Sequence, residues 1–126
     1  MKVLVYISHP SGGLEENTKD VERCIRFMYQ NKFIRRECCL VSPIHNFGFM
    51  YNDEWLSYEE GLNLCLDLLR HCTFMICIGD YESSIGCKEE IKFCNENNKD
   101  IIFIKDYDYL VNNIEKIMEY INIILS

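Results

Sequence analysis

The chain carries no excess of positive charge. Thirteen lysines and arginines face twenty aspartates and glutamates, for a net charge of −7. A nucleic-acid polymer needs a basic face to neutralise its phosphates, so DNA and RNA are excluded as partners. A small anionic ligand is not excluded, because local backbone N–H groups bind one despite the net charge. Long apolar runs are missing too, and none approaches the roughly 20 residues of a membrane-spanning helix. Charged Lys2 leads straight into a short apolar run, so neither a secretory leader nor a membrane partner is expected. Eight cysteines are present, yet no two form a C-x-x-C pair. That spacing argues against a metal site and leaves buried reduced thiols in a cytoplasmic protein as the expectation. Neither G-x-G-x-x-G nor G-K-[ST] occurs, so the dinucleotide fingerprint and the Walker loop are both absent. No cofactor is called for. Repeats, low-complexity stretches and linkers are also lacking, and 126 residues make one domain with one core.

What is present is an alternation of short apolar runs and amphipathic stretches. Lys2 to Ile7 is β-branched with no polar alternation, the pattern of a strand buried on both faces. A helix is expected from Glu15 to about Gln30, with Val21, Cys24, Ile25 and Met28 on one face. Asn31 to Arg36 reads as a polar connection and Cys38 to Ser42 as a second strand ended by Pro43. Ile44 to Trp55 reads as a long loop rich in aromatic residues. Ser57 and Glu60 form a capping box for a helix to about His71, with Tyr58, Leu62, Cys65, Leu66 and Leu69 inward. Phe74 to Ile78 is a third strand, Gly86 to Asn97 a third helix and Ile101 to Ile104 a fourth strand. A last helix is expected from Asp108 to Leu125, with Leu110, Ile114, Ile117, Ile121 and Leu125 inward. This order predicts an α/β fold: one doubly wound parallel sheet, strand order 2-1-3-4, with helices on both faces, Rossmann-like or flavodoxin-like. Ligands of such sheets bind at the switch point, outside the carboxyl ends of strands 1 and 3.

Three loops open there, spanning residues 8–13, 42–48 and 79–86, and they supply the candidate residues. Ser83, Ser84 and Gly86 begin the third helix, where free N–H groups and hydroxyls suit a phosphate and equally suit a plain N-cap. Gly12 and Gly13 repeat the arrangement before the first helix. Glu89 points away from the buried face that Cys87, Ile91 and Cys94 define, whereas Glu90 lies about 60° from its centre. Glu90 is therefore expected at the rim of the sheet, partly desolvated. His9 and His45 sit in crevice loops as candidate acids or bases, or as loop hydrogen-bonders. Tyr6 and Asp80 end strands at the crevice, and Asn17 falls on the side of the first helix that faces it. Asp67 points outward.

The motifs V-Y-I-S-H-P-S-G-G at residues 5–13 and S-x-G-x-x-x-E at residues 84–90 resemble the nucleoside 2-deoxyribosyltransferase-like superfamily. The chain is most similar to a branch of small phage and bacterial proteins of unknown function. With that branch it shares S-P-I-H, Y-E-E-G-L-N-L-C-L-D-L-L and S-S-x-G-C-x-x-E-I. The resemblance spans roughly residues 3–104. It implies cleavage of an N-glycosidic bond, with Glu90 attacking the anomeric carbon to give a covalent glycosyl-enzyme. It also implies ligand contacts from Tyr6, Ser8, His9, Pro10, Gly12 and Gly13. Transferases of this kind carry an Asp six residues before the Glu, whereas the nucleotide hydrolases carry a phosphate-binding Ser, and this chain has Ser84. The hydrolases' phosphate-loop arginine has no counterpart here. The Asp that the superfamily places on the preceding helix is replaced by Cys65, leaving Asp80, His9 or His45 to protonate the leaving base.

The sequence thus points to a hydrolase of a nucleotide or nucleotide-derived molecule, with a deoxyribosyltransferase or a non-catalytic nucleotide-binding protein as alternatives. A homodimer or larger homo-oligomer is expected, because Leu64, Leu68 and the aromatic loop offer apolar surface. A monomer in solution counts against that expectation.

Overall fold

A computed structural model describes residues 1–126 and contains four strands and seven helices. The strands are β1 (Val3–Ser8), β2 (Cys38–Val41), β3 (Phe74–Ile78) and β4 (Ile101–Ile104). All pair in parallel, in the order β2-β1-β3-β4. The helices are α1 (Glu15–Tyr29), α2 (Lys32–Glu37), α3 (Pro43–Phe47), α4 (Tyr58–Arg70), α5 (Ile85–Glu96), α6 (Tyr107–Asn112) and α7 (Ile114–Leu125). No helix is long and apolar enough to cross a membrane.

Both faces of the sheet are covered, which is why its strands lack polar alternation. Val5, Ile7, Phe74, Ile76, Ile78, Ile102 and Ile104 face a core closed by α1, α6 and α7. Tyr6, Met75 and Cys77 face a smaller core closed by Cys65 and Leu69 of α4, Cys94 of α5 and Cys72 just after α4. All eight cysteines are free thiols, and all but Cys39 are buried.

Three stretches differ from the sequence reading. The connection at 31–36 contains α2, started by Asn31, whose side chain accepts from the N–H of Ile34. The long loop begins as α3, with Pro43 in its first turn, and continues as a 3-10 turn over Gly48–Met50. The last helix is two, because the chain leaves helical geometry at Asn113 (φ −127°, ψ 23°). Exposure corrects one assignment as well. Tyr58 is 66 % exposed and lies outside the inner face of α4. Leu64 and Leu68 are half-buried, and Leu68 packs against the smaller core.

The switch point falls between β1 and β3, where Ser8 is in register with Cys77. Gly79 turns the chain off β3 with φ +92°, a conformation that strains any residue with a side chain. A Cβ there would also stand 3.5 Å from Pro10 and 3.7 Å from His9, so the two crevice loops pack closely at this point.

Candidate functional site

Glu90 is the centre of the site, and it is buried rather than at the rim, with 6 % of its surface exposed. The first turns of α5 carry it over β1. Tyr6 and Ser8 alternate with Val5 and Ile7 along β1, so both point toward α5. Ser8 Oγ donates to Glu90 Oε1 at 2.7 Å, and the Tyr6 hydroxyl donates to Glu90 Oε2. No lysine or arginine pairs with this carboxylate.

Burial pushes Glu90 up to about 7 against the opposing hydrogen bonds from Tyr6 and Ser8, and the nearby Cys87 thiol raises it further. Burial and the Glu90 charge raise the Tyr6 phenol well above its ordinary range. Ser8 Oγ also lies 3.3 Å from Cys87 Sγ. The neighbouring Cys77 thiol eases ionisation of the Cys87 thiol, while burial opposes it. Cys77 is shifted up correspondingly. The first turn of a helix is where a thiolate is favoured, so Cys87 is the member of the pair that ionises first.

A second tier lies behind Tyr6. The Tyr51 hydroxyl is 3.2 Å from Cys65 Sγ, and Cys65 shares the smaller core with Tyr6. Burial is the main cause of the upward shifts of Tyr51 and Cys65.

The other candidate residues are distributed unevenly around this centre. Ser84 caps α5, its Oγ accepting from the N–H of Cys87 at 3.2 Å, which leaves its own proton free to donate. Gly86 has ordinary helical geometry, and a Cβ there would meet Tyr58 Oη at an unstrained 3.7 Å. Gly12 and Gly13 both have positive φ, 53° and 71°, in a turn closed by Leu14 N–H donating to Ser11 O at 2.9 Å. Asn17 Nδ2 donates to Ser11 O at 3.0 Å, bracing that turn from α1.

His9 is buried, and both ring nitrogens face acceptors: Nδ1 the Pro10 carbonyl at 2.6 Å, Nε2 the Asp20 carboxylate at 2.7 Å. Burial raises Asp20, but hydrogen bonds from His9 and Arg23 outweigh it and hold the carboxyl below its ordinary value. His9 is thus tied to α1 and buttresses Gly79. His45 is exposed and bridges Ser42 Oγ and Glu22, both at 2.8 Å, away from Glu90. Ser83 Oγ donates to the Asp80 carbonyl at 2.8 Å, within the turn. Asp80 is exposed and faces a different cleft, of about 510 Å³, lined by Tyr81, Phe103, Lys105 and Tyr109 but not by Glu90. Asp67 is on the outer face of α4, bonded to Arg70 at 2.6 Å.

The structure therefore gathers Tyr6, Ser8, Ser84 and Glu90 and leaves Asp80 and His45 apart. Residues 3–104 match a family described as a domain of unknown function (DUF7768). The chain belongs to this family. The DUF7768 region ends with β4, so it contains every residue of the Glu90 site and neither α6 nor α7. No curated protein and no solved structure matches the chain.

Sequence reasoning missed three participants in this DUF7768 site: Tyr51, Cys87 and Asp20. Helical spacing marks Cys87 only as part of a buried face. Tyr51 lies in the aromatic stretch with nothing to separate it from Phe47 or Phe49. No local pattern marks Asp20 as the partner of His9. A buried carboxylate that changes charge near neutral pH and is fixed by two hydroxyl donors can serve as nucleophile or as proton carrier.

Proposed function

We propose that this protein cleaves the N-glycosidic bond of a nucleotide or nucleotide-derived small molecule, with Glu90 as nucleophile. The observation that carries the reading is the placement of Glu90: buried, held by Tyr6 and Ser8, and set at the switch point of the sheet. In the proposed reaction a Glu90 oxygen bonds to the anomeric carbon. The C–N bond breaks, its electron pair passes to the base, and a proton from solvent or a crevice donor neutralises the base. Water then attacks the glycosyl ester and restores the carboxylate. Tyr6 and Ser8 steady the charge that returns to Glu90 at that step. The free hydroxyl of Ser84 supports a phosphorylated ligand, and the thiol-rich core supports residence in a reducing cytoplasm.

A specific observation keeps a second reading in play. No other carboxylate bonds to the Glu90 group, because Asp67 pairs with Arg70 and Asp80 faces a different cleft. A domain so built binds a nucleotide without turning it over.

Free-base release from a panel of nucleosides and nucleoside monophosphates separates these readings. Release without an acceptor supports hydrolysis, and release only with a second base supports transfer. A nucleophile must be ionised, so the rate rises with pH through about 7, the value to which burial moves Glu90. Glu90→Gln loses roughly 10³-fold or more of that rate. A rate that falls through the same range makes Glu90 an acid instead. Ligands that raise the melting temperature but are never cleaved establish the binding-only reading.

A further inference from the structure

An open sheet ends in edge strands whose outer backbone groups have no neighbour, and proteins ordinarily cover or blunt such edges. At β2 the edge is covered: Leu40 N–H donates to the Tyr29 hydroxyl at 2.7 Å, and no residue of the strand is exposed. β4 is the other edge. The carbonyls of Asp100 and Ile104 accept from Met75 and Gly79, so they face β3. Backbone direction alternates along a strand, which turns the N–H and C=O groups of Ile101 and Phe103 outward. The strand reads Ile101-Ile102-Phe103-Ile104, with no charge or proline to blunt it. Phe103 is 47 % exposed. On the neighbouring helix α7, Tyr120 is exposed too, and Ile123 is 68 % exposed. Ile101, Phe103, Tyr120, Ile123 and Ile124 together line a groove of about 250 Å³ along this edge.

We propose that a second copy of the chain docks on this edge, β4 pairing antiparallel with β4 about a twofold axis perpendicular to the sheet and α7 lying against α7. The strand edge and the helix beside it are both uncovered. A second copy brings a strand and a helix in the same relation, whereas a lone extended peptide would leave Ile123 in water. An axis of this kind preserves the two faces of the sheet, so residues set opposite one another must share a face. Ile101 opposite Phe103 of the second copy meets that condition and sets apolar against apolar. The register centred on Phe103 would instead set Asp100 against Asp106, which like charges disfavour. The first register also brings Asp100 of each copy beside Lys105 of the other, and neither residue has an ion pair within its own chain. Lys99, which would otherwise meet Lys105, is drawn away to the Cys72 carbonyl at 2.6 Å. The interface engages β4 and α7 rather than Leu64 and Leu68 of α4.

The test is sedimentation velocity of the full chain across the micromolar range, with circular dichroism to confirm the fold of each variant. The wild type should sediment as a dimer, and Ile123→Lys, a change on the exposed side of α7, should shift it to monomer. Asp100→Lys sets like charges together at both ends of the pairing and should raise the dimer Kd about 10-fold. Adding Lys105→Asp restores opposite charges and should return the Kd toward the wild-type value. Hydrogen exchange supplies a second readout: the amides of Ile101 and Phe103 should be protected in the dimer and lose that protection in Ile123→Lys. A dimer built on any other surface is indifferent to all of these changes. A wild type that is monomeric throughout overturns the proposal and leaves the edge to a different protein. A dimer unmoved by Ile123→Lys and Asp100→Lys overturns it as well, and a double variant no tighter than Asp100→Lys alone overturns the antiparallel pairing. The charge pair decides the matter by itself if Ile123→Lys does not fold.

Discussion

Glu90 buries a carboxylate beside two hydroxyl donors and no cation, which sets a conflict between folding and ionisation. Its ordinary value is 4.5, and burial moves it to about 7. Between those two pH values the folded protein holds a proton that the unfolded chain has released. Stability from this group is therefore complete below about 4.5, and it is lost as pH rises through about 7. The full loss is about 3 kcal/mol, from about 1.4 kcal/mol for each pH unit of displacement. Glu90→Gln removes the titration while keeping a side chain of the same shape. Urea unfolding of both proteins from pH 4.5 to 8.5 should show the variant gaining on the wild type by up to about 3 kcal/mol across this window. Comparing the two cancels Asp20 and Glu22, whose carboxyls are shifted down and act at lower pH. A difference that stays constant with pH contradicts the burial of a titrating acid at this position.

At the scale of elements, α5 does two things at its first turn. Ser84 accepts from Cys87 N–H, which fixes where the helix starts and hence where Glu90 lies. The same hydroxyl retains a proton for a ligand. The two roles separate by substitution. Ser84→Ala loses the cap and about 1 kcal/mol of stability. Ser84→Asp keeps a capping acceptor but has no proton to give and adds a negative charge. Its stability should stay within about 0.5 kcal/mol of the wild type, while affinity for a nucleoside monophosphate falls about 10-fold or more by calorimetric titration. Equal affinity in all three proteins means that Ser84 is a cap and nothing else.

Elements of this kind were legible wherever a period was visible. β3 and β4 carry their predicted bounds, and α1, α4 and α5 end within a residue or two of them. The break between α6 and α7 was hidden because Leu110, Ile114, Ile117 and Ile121 keep helical spacing straight through Asn113. α2 was hidden because one turn of Lys32, Phe33, Ile34, Arg35 and Arg36 buries only Ile34. In the site, helical geometry separated Glu90 from Glu89 but set it at the rim, and it was the resemblance that singled out Ser84, the N-cap of the same helix. His9 with Asp20 and Tyr51 with Cys65 join separate elements, and nothing local specifies such pairs.

Taken whole, the molecule is lopsided across its sheet. One side holds 15 buried residues, mostly branched aliphatics, under α1, α6 and α7. The other holds seven under α4 and α5, and four of these are cysteines. A thiol buries less apolar area than leucine or isoleucine, and this thinner side also carries the cost of an enclosed carboxylate. The layer that houses the site is therefore the layer with less to hold it. Local opening follows such differences, with thinly packed units opening below the global unfolding free energy. Native-state hydrogen exchange should find the amides of α4 and α5 exchanging through openings well below those of β1, β3 and α1. The gap should narrow in Glu90→Gln, which relieves the smaller core and leaves the larger one untouched. Equal protection of α4, α5 and α1 would show that the two layers open as one, and would separate motion at the site from the packing beneath it.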